Sequence, residues 1–208
     1  MLDCKEINTT MVKNMKLLND DSSERVDVTL YRQIIGSLMY LTNTRPSIYF
    51  AVNTLSQYMA DPIHVHVVAT NHVMRYLKGT LDHGLIYTIN SEFKLCGYID
   101  SDWAGSAEDR KSTLGCCFSL GSCVISWISR KQTSVSLSTT EVEYIVSCLS
   151  CSEALWLHKI LTGLFDTEMD ETKIYCDNQS CNKLTENLVY HDKSKHIEIK
   201  YHYIRDMV

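Results

Sequence analysis

Near residue 80 the hydrophobic pattern of this chain changes period. Before that point apolar residues recur at helical spacing, and after it short β-branched and aromatic runs are separated by turn residues. Tyr31, Ile34, Ile35, Leu38, Met39 and Leu41 outline the apolar face of a first helix. The run TNTRPS interrupts it, with Pro46 where a helix start tolerates proline. Ile48, Ala51, Val52, Leu55 and Met59 give a second amphipathic helix ending near Asp61-Pro62. A third, from about His64 to Leu77, carries Val68, Val73, Met74 and Leu77 on its apolar side. Residues 28–80 therefore read as a small helical module. Residues 1–27, polar and poorly periodic, read as a mobile lead-in.

Residues 81–208 read as a second domain. GLIYTIN, KLCGYID, GCCFSLG and CVISWIS have the composition of strands. They read as consecutive and antiparallel, with turns at Asn90-Ser91, in the loop 103–113 and at Gly121-Ser122. A long helical pattern follows, with Ser138, Thr139 and Thr140 as candidate N-caps. Val142, Ile145, Val146, Leu149, Leu155, Trp156, Ile160 and Leu161 form its apolar face. Residues 173–177 read as another strand, 178–188 and 195–207 as helices. The fold class is α/β, helices packed on a mixed sheet.

Composition narrows the functional classes. With 45% hydrophobic and 22% charged residues, the chain is not of the disordered type. Its formal charge of −5 lacks the basic surplus usual in nucleic-acid binders, so contact with a polyanion requires local clustering. The nine cysteines, the absence of an apolar leader at MLDCKEINTT and the lack of any apolar run near the ~20 residues of a membrane span point to a reducing, cytoplasmic setting away from membranes. Cys148 and Cys151 form a CxxC inside a helical pattern without a matching pair, and read as packed thiols. Cys176 and Cys181 read the same way. His191, His196 and His202 lack the spacing of a zinc helix.

Three acids occupy awkward positions. Asp100 ends the apolar run LCGYID, Asp177 ends KIYCD, and Glu143 lies among Val142, Tyr144, Ile145 and Val146. Burying an unpaired carboxylate costs several kcal/mol, so such groups are protonated, paired or bound to metal. Strand ends meeting one helix face would bring the three together, and hard oxygen donors of this kind suit Mg²⁺. The plainer alternative for each acid is a solvated loop position. Asp102, two residues beyond Asp100, reads as a supporting or loop-exposed acid. Because Asp100 and Asp102 are not adjacent, the paired-aspartate signature of polymerases is not met.

Basic residues gather locally at Arg110-Lys111, at Arg130-Lys131, and at Lys193, Lys195, His196, Lys200 and Arg205 near the C-terminus. Phosphate contacts from such residues give affinity without sequence readout; the plain alternative is a solvated surface. Ser112 and Ser138 could reach phosphate, with helix capping the stronger reading for Ser138.

The strings GYIDSDWAG, DRKSTLG, ISWISRKQ, LSTTEVEY, EALWL, YCDNQS and KHIEIKYHYIRD are similar, in order, to blocks of copia-type retrotransposon ribonuclease H domains. The upstream string LYRQIIGSLMYLTNTRPSIYFAVNTLSQYM resembles the segment joining reverse transcriptase to that domain, with Ser47 departing from the RPDI common there. The resemblance covers nearly the whole chain. It implies a ribonuclease H-like fold with a five-stranded mixed sheet. It also implies an endonuclease that cuts RNA in RNA–DNA hybrids with two Mg²⁺ ions, or Mn²⁺ in their place. Asp100, Glu143 (rather than Glu141) and Asp177 map to metal-binding acids. The implied partners are the hybrid and the remainder of a Pol polyprotein, including reverse transcriptase, in the cytoplasm, a virus-like particle or the nucleus. The family's fourth acid, beyond a final strand, finds no match before Val208. The sequence thus also supports a catalytically weak or inactive remnant that acts as a binding or structural module.

Overall fold

The computed structural model describes residues 4–12, 15, 17, 23–88, 93–166 and 169–186. The chain divides into two compact units, residues 1–85 and 86–208.

The first unit is helical. α1 (Val28–Leu41) begins at Asp27, whose carboxylate accepts hydrogen bonds from the backbone N–H groups of Thr29 and Leu30. A 3-10 turn (Pro46–Ile48) leads into α2 (Tyr49–Ser56), and α3 (His64–Lys78) follows. α2 ends several residues before Asp61, and residues 57–60 form turns instead of a further helical turn. Tyr31, Ile35, Leu38, Ile48, Ala51, Val52, Leu55, Ala69 and Val73 make the core. Val68 and Met39 are exposed despite their helical spacing. On α3 the buried stripe is completed by His66, Ala69 and Thr70, a polar and small set that hydropathy alone does not mark. His66 is fully buried and satisfied at both nitrogens. Nδ1 accepts from the Ile63 N–H at 3.1 Å and Nε2 lies 3.1 Å from the Leu17 carbonyl oxygen. Described residues of the expected lead-in are tied to α3: Leu17 is buried in the core, Arg75 Nε donates to the Lys5 carbonyl, and Lys78 Nζ donates to that of Cys4.

The second unit is built on a four-stranded sheet among the described residues, with strand order β3-β2-β1-β4. β1 (Leu95–Asp102), β2 (Thr113–Leu120) and β3 (Cys123–Lys131) are antiparallel neighbours. β4 (Lys173–Tyr175) runs parallel to β1. α4 (Thr139–Phe165) and α5 (Gln179–Glu186) complete the unit. The class read from the sequence, helices on a mixed sheet, is the class observed, and the arrangement is consistent with a ribonuclease H-like fold. The run GLIYTIN does not form the expected strand over its described residues 84–88. Ile86 and Tyr87 are exposed there, and the segment is held by side chains: Tyr87 Oη donates to the Val124 carbonyl, and Thr88 Oγ1 pairs with Ser122 Oγ. The helix read over 195–207 lies outside the described residues.

Alternation along the strands decides where α4 docks. Leu95 and Ile99 of β1, with Leu114, Cys116 and Phe118 of β2, turn to one face. There they pack against Val142, Val146, Ala154, Leu157 and Leu161 of α4. Trp156, expected on the apolar face, is more than half exposed, because the helix buries Ala154 and Leu157 instead. No described helix is long and apolar enough to cross a membrane.

Gly97 lets this face close. It pairs in register with Phe118, and a Cβ at Gly97 would stand 2.7 Å from the Phe118 ring and 3.2 Å from Ile174. The ring is fully buried, so it would have to shift within the core. Gly97→Ala is therefore expected to destabilise the chain by about 1–3 kcal/mol through overpacking, read as a lowered urea midpoint. An unchanged midpoint would show that the ring is free to move.

Candidate functional site

The parallel pairing of β1 with β4 brings two of the acids to one end of the sheet. Tyr98 pairs with Tyr175 in register, and each strand reaches an acid two residues later, Asp100 and Asp177. The two tyrosine rings stack beside them with centroids 5.2 Å apart. The third acid comes from α4. Ser138 caps that helix, its hydroxyl accepting from the Glu141 N–H at 3.2 Å, and Glu141 Oε2 accepts from the Leu137 N–H at 2.7 Å. Glu141 is thus engaged at the cap, while Glu143 turns toward β1. Its Oε1 accepts a 2.6 Å hydrogen bond from Ser101 Oγ, and its side chain is 5% exposed.

The structure brings Glu143 and Asp177 together, and with them Cys176. One ligand atom from each of the three lies within 4.8 Å of the others. The Asp100 carboxylate is outside this group. Strand alternation puts Ser101, not Asp100, toward α4, so Asp100 is exposed and acts on Glu143 through its charge. Burial pushes the Glu143 carboxyl above the usual carboxylate range. The Ser101 and Cys176 hydrogen bonds oppose this rise, and the negative charges of Asp177 and Asp100 add to it. Burial also raises the Cys176 thiol, and it pushes the Cys181 thiol up to about 12.

Asp102 has a structural partner. Its carboxylate accepts from the N–H of Thr113, its cross-strand neighbour, and closes the β1–β2 loop. Burial raises its carboxyl, against the Thr113 hydrogen bond and with the charge of Asp100 adding to the rise. Ser112 braces the same loop: it is fully buried and accepts from the Ala104 N–H at 3.0 Å.

The register places the basic pairs at this end of the sheet as well, since Asp102 pairs with Thr113 and Thr113 with Lys131. Asp109 gathers two of these cations: Lys131 Nζ lies 3.0 Å from its Oδ1 and Lys111 Nζ 3.5 Å from its Oδ2. Desolvation works against ionisation of Asp109, but hydrogen bonds from Ser106, Lys131 and the Lys111 backbone hold its carboxyl well below the usual range. Arg110, in the left-handed region at φ 57°, and Arg130 are exposed. Arg130 and Lys131 line a groove of about 630 Å³ together with Thr133, Ser134 and Leu149. Lys193, Lys195, His196 and Lys200 lie outside the described residues.

Sequence reasoning did not single out Ser101 or Cys176 as partners of Glu143. The signal for Ser101 was its strand parity with Leu95 and Ile99; that for Cys176 was its position next to Asp177. All nine cysteines are free thiols. Cys148, Cys151, Cys176 and Cys181 gather around the buried Tyr144 ring.

The chain is 42% identical over 208 residues to the retrovirus-related Pol polyprotein from transposon RE2 of Arabidopsis thaliana. The match covers 100% of this chain and 14% of that protein. It is 37% identical over 215 residues to the one from transposon TNT 1-94 of Nicotiana tabacum, covering 100% of this chain and 16% of that protein. It is also 44% identical over 128 residues to the secreted RxLR effector protein 161 of Plasmopara viticola, covering 61% of this chain and 90% of that protein. The chain thus spans about a seventh of the length of the polyproteins it matches. No family model and no solved structure matches it.

Two outcomes follow from this geometry. Ser138→Ala removes the α4 cap and is expected to cost about 1 kcal/mol in a urea titration; no loss would mean that Glu141 alone secures the helix start. The raised Glu143 carboxyl sets a pH dependence. Its folded value lies above its unfolded one, so the stability it contributes is complete below the ordinary glutamate range and falls as pH rises through the folded value. Glu143→Gln still accepts from Ser101 but carries no charge. Melting curves from mildly acidic to neutral pH are expected to fall less steeply for the variant than for the wild type, and parallel curves would contradict this.

Proposed function

This chain belongs to the retrovirus-related Pol polyproteins of copia-type transposons, and we propose that it supplies the metal-binding acids of a ribonuclease H that cuts the RNA strand of an RNA–DNA hybrid. The observation that carries this reading is Glu143, a buried carboxylate held at one sheet end with Asp177 beside it and the charge of Asp100 acting on it. Like charges held this close resist ionisation together, and a hard divalent cation is the counter-charge suited to carboxylate oxygens. The Glu143 and Asp177 oxygens therefore fit Mg²⁺, and Asp100, exposed at the same end of the sheet, is the third ligand once its carboxylate turns in. When bound, Mg²⁺ supplies Lewis acidity at the phosphodiester and an acidified water.

The chain's own residues set the stage for this chemistry. Ser101 fixes the Glu143 carboxylate through Oε1, and the cap at Ser138 fixes the start of the helix that carries it. Asp102 and Ser112 hold the β1–β2 loop that follows Asp100. Arg110, Lys111, Arg130 and Lys131 offer cations to the phosphates of the hybrid. Such contacts read backbone shape and 2′-hydroxyls rather than bases, as suits a nuclease without sequence preference. The rest of the Pol polyprotein, including reverse transcriptase, is the proposed partner that delivers the hybrid.

The test is cleavage of a labelled RNA strand annealed to DNA. Mg²⁺-dependent cutting is expected, lowered on the order of 100-fold or more by Asp100→Asn and by Glu143→Gln, the scale of losing a key electrostatic stabiliser. Cutting that both variants retain in full would sink the proposal, as would a hybrid left intact at every Mg²⁺ and Mn²⁺ concentration. The second outcome is the one expected of a noncatalytic binding or structural module.

A further inference from the structure

Sulfur sits where the acids converge. Cys176 Sγ lies 3.8 Å from Glu143 Oε2, and both share the 4.8 Å group with an Asp177 oxygen. The two Glu143 oxygens have unequal partners. Oε1 accepts from a hydroxyl at 2.6 Å, whereas the hydrogen bond to Oε2 among the described residues comes from a thiol, a weak donor. The Oε2 side of this buried residue is thus held by a weaker partner than the Oε1 side. A second thiol packs in the same cluster: Cys181, 1% exposed, has its Sγ 3.5 Å from Ser147 Oγ, while Cys176 Sγ also lies 3.9 Å from the Asn178 carbonyl oxygen. Metal ligands are commonly held in place by such outer contacts.

Two carboxylates alone would favour Mg²⁺, but a thiolate among them changes the preference. Mg²⁺ takes oxygen ligands, whereas Zn²⁺ and Cd²⁺ take sulfur readily and accept tetrahedral mixed donor sets. We propose that Glu143, Cys176 and Asp177 form a site for a thiophilic divalent cation, Zn²⁺ or Cd²⁺, with the fourth position left to water. On binding, the Cys176 S–H bond breaks, its proton passes to solvent, and the sulfur electron pair bonds to the metal; no electron is transferred. Because Glu143 and Asp177 are shared, Mg²⁺ and the thiophilic ion exclude one another. Inhibition of the nuclease by Zn²⁺ rests on the ribonuclease H reading, but formation of the site does not.

The experiment is a Cd²⁺ titration of the full 208-residue chain, following the ultraviolet charge-transfer band of the cadmium–thiolate bond. A single saturable equivalent is expected in the wild type, weakened by excess Mg²⁺. Cys176→Ser removes that equivalent. Asp177→Asn, at an exposed position that the core does not depend on, weakens it on the order of tenfold or more. A wild type without a saturable band, or either variant binding Cd²⁺ as the wild type does, overturns the proposal. The readout is spectroscopic, so failure of the nuclease assay and failure of this site are separate results.

Discussion

Glu143 is buried with its charge opposed, and the local structure tolerates it because Ser101 donates to it from the strand beneath. That contact depends on three features of the fold. The cap at Ser138 sets where α4 starts and therefore which glutamate faces the sheet. The Leu95, Ile99 and Phe118 face fixes the docking of α4, and Gly97 leaves room for the Phe118 ring. The parallel β1–β4 pairing then carries Asp177 to the same end. A shift of one residue in β1 would turn Ser101 away from the helix and break the arrangement.

Much of this could be read along the chain because the relevant patterns are local. The change of period near residue 80, the helices of the first unit, the strands at KLCGYID, GCCFSLG and CVISWIS, and the cap at Ser138 rest on spacing and turn residues that act over a few positions. The three acids stood out for the same reason: each interrupts an apolar element. The choice of Glu143 over Glu141 came from family resemblance, and its physical basis is that Glu141 accepts the Leu137 N–H at the cap.

The rest depended on contacts that sequence does not encode locally. GLIYTIN has strand composition, yet Tyr87 and Thr88 bind through their side chains instead of joining a ladder. Val68 and Trp156 fit a helical stripe, but neighbouring elements select His66, Ala69, Ala154 and Leu157 for burial. Asp102 shares the face of Asp100, and its tie to Thr113 is visible only once β1 and β2 are in register. Cys176 became part of the acid group through the fold of the β4–α5 connection, which no spacing rule marks.

The central claim is that acids far apart along the chain converge to hold divalent cations. Anomalous diffraction from crystals grown with Mn²⁺ tests it most directly. The account predicts a strong peak at coordination distance from both Glu143 and Asp177, with the Asp100 carboxylate turned in to share it. Density around these side chains with no peak, and with Asp100 turned to solvent, would contradict it.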